Sequence, residues 1–181
     1  MELFEAIRTR RSVRSFTTQP LTETEIETLL HAAMQASNSG NQQAWRFVVV
    51  DDPHLVTQIG ELDVDRGPYH VSQQLFVVCA DIASMEWKMH WLADCAAAIQ
   101  NMLLAAHAMD LGGVWQELFP YHRRVSAVRD LLGIPKTAYP MAVVAIGHPA
   151  TRPDPSDRFD PAKAFRNQWG EELARERTDS P

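Results

Sequence analysis

The chain has 181 residues, 45% hydrophobic and 22% charged, with a formal net charge of −6. That is the length of one domain and the balance of a globular one. The acidic excess excludes a general electrostatic pull on nucleic acid or anionic lipid, and two cysteines are too few for a disulfide framework.

The first residues, MELFEAIRTRRS, lack the apolar core of a signal peptide, so a cytoplasmic location is expected by default. Residues 2–9 read as a short amphipathic helix with Leu3, Phe4 and Ile7 on one face. Arg8, Arg10, Arg11 and Arg14 then place four arginines in seven positions. Such a run is either a solvated basic turn or an anion site. Arginine forks bind phosphate oxygens, Ser12 adds a hydroxyl, and in an extended segment Arg10, Ser12 and Arg14 point the same way.

Residues 20–36 predict a helix with a capping box, Thr22 three positions before Glu25. The run Ser37, Asn38, Ser39, Gly40, Asn41, Gln42, Gln43 is small, polar and rich in amides. It reads as a surface loop or as a wall able to meet the mixed donor and acceptor edge of a heterocycle. Strands are expected at 45–51, 75–81 and 141–147, all continuous apolar runs. A helix is expected at 53–62 and a loop at 63–72. Met85, Trp87, Met89, His90 and Trp91 form an apolar cluster, either core or a lid over a planar ligand, and His90 has no partner at metal spacing.

The longest helical stretch lies in residues 92–115, LADCAAAIQNMLLAAHAMDLGGVW. Apolar residues surround its axis, which predicts burial on most sides, as the central helix of the domain or as the seam of a dimer. Asp94, Gln100, Asn101, His107 and Asp110 exclude a membrane span. Gly112 and Gly113 read as its stop signals. Cys79 and Cys95 sit among apolar neighbours and read as inert buried thiols. Residues 114–120 read as a strand or turn, 121–132 as a helix stopped by Gly133, and 148–161, with four prolines, as an extended arm. Residues 162–177 predict a charged terminal helix. There is no GxGxxG and no Walker sequence, so any phosphate site must use arginines.

Three stretches taken together resemble the nitroreductase family of FMN-dependent oxidoreductases: RRSVRSF at 10–16, SNSGNQQAW at 37–45 and DCAAAIQNMLLAAHAMDLGGVW at 94–115. RVSAVRDLLGIP, AVVAIGHP and RFDPAKAF follow in the family's order, so the resemblance covers nearly the whole chain. It implies an α+β nitroreductase-like fold over residues 1–181, a mostly antiparallel sheet surrounded by helices, in an intertwined homodimer with the arm on the partner. It implies FMN as cofactor, with NADH or NADPH as co-substrate. By the same resemblance Arg10 and Ser12 hold the FMN phosphate, Arg11 sits beside them, and Arg14 serves the ribityl and pyrimidine side. Asn38, Asn41 and Gln43 belong to the amide loop, with Asn41 and Gln43 approaching the flavin from the other subunit. Gln116, Glu117 and Leu118 match the backbone beside flavin N5, and Arg158 a late phosphate arginine. Ser37 and Ala44 stand where the family often has proline, and Glu117 where many relatives have glycine. No side chain is assigned as a catalytic acid or base, and none as a metal ligand. The implied activity is ping-pong reduction of nitroaromatic, quinone or similar electron-poor acceptors. A flavin-binding protein without turnover and a specialised reductase such as a dehalogenase remain the alternatives.

Overall fold

The computed structural model describes residues 1–62 and 74–172. The loop expected at 63–72 therefore lies outside the described residues. The elements in chain order are α1 (Leu3–Thr9), α2 (Glu23–Met34), β1 (Trp45–Val50), α3 (Pro53–Gly60), β2 (Gln74–Asp81), α4 (Trp91–Ala108), β3 (Gly112–Glu117), α5 (His122–Leu132) and β4 (Ala138–Gly147). The strands form one sheet in the order β1-β2-β4-β3, antiparallel at every pair.

Both faces of the sheet are covered, which is why its central strands read as continuous apolar runs. Phe76, Val78, Val144 and Ile146 face α2 and α4. Leu75, Val77, Val143 and Ala145 join Val56, Val125 and Val128 on the opposite face. The capping box of α2 is formed: the Glu25 N–H donates to Thr22 Oγ1 at 3.3 Å, and the Thr22 N–H donates to Glu25 Oε2 at 2.7 Å. Gly133 ends α5 in the left-handed conformation, φ 63°, as expected.

Three expectations change. The two glycines after α4 are not its stop: Asp110 takes the left-handed turn, φ 60°. Gly112 and Gly113 run on into β3, because a Cβ on Gly112 would come within 2.7 Å of the Val13 side chain, and one on Gly113 within 2.8 Å of Leu103. The helix expected from 162 does not form through Glu172. A short 3-10 turn, Pro161–Lys163, is followed by a reversal that bridges Phe165 to Glu172, with Asn167 and Gly170 at positive φ. The Phe165 and Trp169 rings meet at 4.9 Å across it. The remainder of that expected helix, 173–177, lies outside the described residues. Third, a single chain buries only one stripe of α4, from Trp91 through Cys95, Ala98 and Met102 to Ala106. Leu92 and Ala93 stay exposed and Ala96, Ala97 and Leu104 half-buried. Among the described residues no helix is long and apolar enough to cross a membrane.

Candidate functional site

The basic turn is held between two elements. Ser12 bridges Gly113 at the outer edge of β3, with the Val13 N–H donating to the Gly113 carbonyl at 3.0 Å. Further on, the Thr17 N–H donates to the His148 carbonyl at 2.8 Å and the Ala150 N–H to the Ser15 carbonyl at 2.9 Å. This clamps residues 10–16 to the sheet and to the start of the proline-rich arm.

The arm brings Arg158 to Arg10. Burial first, then the positive charges of Arg158 and Arg11, push the Arg10 guanidinium below its ordinary pKa. Three cations thus converge, and no carboxylate among the described residues forms an ion pair with any of them. A cluster of that kind is a candidate anion site. Ser12 lies half-buried beside them and Arg14 is exposed. Arg11 contributes charge but not a free fork. Its Nη1 donates to the carbonyls of Arg8 (3.0 Å) and Arg10 (2.7 Å), and its Nη2 to the Ser156 carbonyl, so it clasps the arm to the end of α1.

From Gly113 the edge of β3 leads away from this cluster. Glu117 lies four residues on, about 13 Å at strand rise. The Leu118 N–H is taken by the Met141 carbonyl at 2.8 Å, so Gln116 and Leu118 turn their backbone toward β4. By the same period of two, Glu117 turns its N–H outward, as Gly113 turns out the carbonyl that Val13 uses. Of the three residues expected here, Glu117 alone offers a backbone donor at the open edge. Its side chain is exposed, whereas Gln116 and Leu118 are buried.

The amide loop lies at the other end of α4. Asn38 Oδ1 accepts the Gln43 N–H at 3.0 Å, and Gln43 Nε2 donates to Asn41 Oδ1 at 2.9 Å. Asn41 and Gln43 are exposed and Asn38 half-buried. The Ser39 N–H donates to Asp94 in the first turn of α4, whereas Thr9, next to Arg10, meets His107 in its last turn. Thirteen helical residues, about 20 Å, separate those two anchors.

The sequence model of the nitroreductase family matches residues 7–92 and 86–148. The chain belongs to the nitroreductase family. Among its relatives is an Archaeoglobus fulgidus protein named for NADH dehydrogenase/NAD(P)H nitroreductase activity. The two are 36% identical over 93% of this chain and 99% of that one. An FMN reductase (NADPH) of Bacillus subtilis is 33% identical over 81% of this chain and 65% of its own length. In structure, an NADPH:FMN oxidoreductase of Vibrio harveyi complexed with NAD+ superposes with a TM-score of 0.82. It is 26% identical and matches 95% of this chain and 79% of that one.

The α+β fold with its antiparallel sheet is therefore nitroreductase-like, as the motifs predicted. The structure brings Arg10, Arg11, Ser12 and Arg158 together, and Asn38, Asn41 and Gln43 together, as two clusters. It also shows residues that the motifs did not single out as functional. Asp94, Trp87 and Arg46 all hold the amide loop; the one sequence signal was the lone carboxylate of a mostly apolar helix. The apolar cluster at 85–91 divides: Met85 and Trp91 are core, while Trp87 and Met89 stand exposed. Burial pushes both thiols, Cys79 and Cys95, up to about 12, so neither serves as a nucleophile at neutral pH. No cluster of metal-ligating side chains occurs among the described residues.

Proposed function

We propose that this protein is an FMN-dependent oxidoreductase. As a homodimer it passes hydride from NADH or NADPH to flat, electron-poor acceptors such as quinones and nitroaromatics. The observation that carries the reading is the convergence of Arg10, Arg11 and Arg158 with no ion-paired carboxylate among the described residues. A phosphate placed there turns mutual repulsion into attraction. Relatives named for FMN and NADPH support the choice of cofactor and co-substrate.

When bound, FMN supplies a ring that accepts a hydride and hands on two electrons. Arg10, Ser12 and Arg158 are the residues to hold its phosphate, and Arg14 is the cation to balance charge on the pyrimidine side after reduction. The outward N–H of Glu117 is the donor available at the strand edge, and Asn41 and Gln43 of a second copy are the amides to meet the ring. One pocket used in turn by nicotinamide and acceptor gives ping-pong kinetics. The apolar face of α1 and the half-open face of α4 support the second copy.

The test is an anaerobic titration of FMN-loaded protein. NADH or NADPH should bleach the flavin absorbance, and a quinone or nitroaromatic should restore it. Initial rates at several fixed acceptor concentrations should give parallel double-reciprocal lines. Protein that takes up FMN yet bleaches with neither nicotinamide is a flavin-binding protein without turnover, and the enzymatic reading then fails.

A further inference from the structure

Residues 38–43 hold a backbone they would not adopt alone. Gly40, Asn41 and Gln43 have φ of 60°, 53° and 49°. Side-chain-bearing residues persist in that region only where the surroundings over-determine them. Part of the support is local, from Asn38 and from the Asn41–Gln43 contact. Two further ties come from neighbouring segments: the Trp87 N–H donates to Gln42 Oε1 at 2.8 Å, and Arg46 Nη1 to the Gln43 carbonyl at 3.2 Å. The last comes from the core, where Asp94 Oδ1 accepts the Ser39 N–H at 2.9 Å.

Asp94 is the odd member of that set. It is 4% exposed, and its second oxygen, Oδ2, has no hydrogen-bond partner among the described residues. A buried carboxyl group with half its bonding capacity unmet opposes folding, and an apolar side chain would pack there at lower cost. Among the described residues its side-chain bond goes to the loop.

We propose that Asp94 is a positioning residue. Through the Ser39 N–H it fixes the loop on α4, so that the exposed amides of Asn41 and Gln43 meet a flavin as preset donors and acceptors. This rests on the flavin reading above. Asp94 itself touches neither cofactor nor substrate.

Three variants test it. Asp94→Ala removes the acceptor, Asp94→Asn keeps an acceptor oxygen, and Ser39→Pro removes only the donor. Proline fits at 39, because Ser39 opens a 3-10 turn and Asn38 before it is extended, φ −150° and ψ 155°. The readouts are FMN dissociation constant, midpoint potential of the bound flavin, and amide hydrogen exchange at 40–43 in the unloaded protein. Asp94→Ala and Ser39→Pro should weaken FMN by about 10-fold, shift the potential and speed the exchange, while Asp94→Asn stays within about threefold of the wild type. Folded Ala and Pro variants with wild-type affinity, potential and exchange overturn the proposal. If Asp94→Ala does not fold, Ser39→Pro decides, since it leaves the core intact. Wild-type protein that takes up no FMN overturns the flavin reading instead, and the exchange experiment still decides whether Asp94 tethers the loop.

Discussion

Arg10 and Arg11 are adjacent in sequence, yet their guanidinium groups differ in what they are free to do. The Arg10 guanidinium donates no hydrogen bond among the described residues and stands against Arg158, whereas Arg11 spends its fork on the carbonyls of Arg8, Arg10 and Ser156. Charge-assisted bonds contribute about 1.5–3 kcal/mol each, so Arg10→Ala should weaken FMN roughly 10-fold or more with little change in melting temperature. Arg11→Ala should do the reverse, lowering the melting temperature by freeing the arm and weakening FMN less. Fluorescence titration and a thermal scan of both variants check this, and an inverted ranking removes the division of labour. His107 gives a second residue-scale expectation. Its Nε2 lies 2.8 Å from Thr9 Oγ1, whose own hydrogen goes to the Glu5 carbonyl at 2.6 Å. Burial, then Arg152 and Arg10, lower its pKa from 6.5. A lowered basic group is protonated more readily in the unfolded chain. Its contribution is therefore intact above 6.5 and declines as pH falls from there through the folded value. Urea melts between pH 7.5 and 5.5 should show that decline, and His107→Gln should flatten it.

At the scale of elements, the signals that were legible in the sequence are the ones that act locally. Thr22 and Glu25 cap α2, Gly133 ends α5, and the apolar runs are strands, because each depends on residues within one turn or one strand. What stayed hidden depends on distant neighbours. Gly112 and Gly113 look like stop signals, and only the approach of Val13 and Leu103 shows that they make room. The charged segment after 162 has helical composition, but the Phe165–Trp169 contact and the left-handed Asn167 and Gly170 turn it back. The arginines and amides were readable as motifs, whereas Asp94 and Trp87 act across 55 and 45 positions and Arg46 at the end of a strand, where no spacing rule reaches. Gly112→Ala tests the packing account. Overpacking of this kind costs about 1–3 kcal/mol, and here it must move Val13 and with it Ser12. The variant should lose both stability to urea and FMN affinity. A loss of stability alone would mean that the basic turn tolerates the shift.

At the scale of the whole molecule, one chain leaves too much apolar surface in water. Leu3 is 63% exposed, Phe4 83% and Ile7 52%, all on α1, whose only buried residue is Ala6. A contiguous apolar face of that kind marks an interface. Sedimentation at micromolar concentration should show one species near twice 20.4 kDa. Phe4→Glu should shift it toward a monomer that retains little FMN, and a stable FMN-loaded monomer of the wild type would count against the interface.

The sheet order has its own consequence for handling the protein. The two outer strands are unlike: β3 is covered along its first residues by Ser12 and Val13, whereas β1 pairs on one side only among the described residues. Its run Phe47, Val48, Val49, Val50 is short, apolar and uncharged, the kind of edge on which strands of other molecules stack. Arg46 precedes that run and Asp51 follows it, one charge of each sign, in the positions where gatekeepers stand. Arg46 also ties the amide loop, so Asp51 is the charge to test: Asp51→Asn should leave the folded protein unchanged and make it precipitate sooner on heating, which would set the fate of the denatured chain at a residue outside the native sheet.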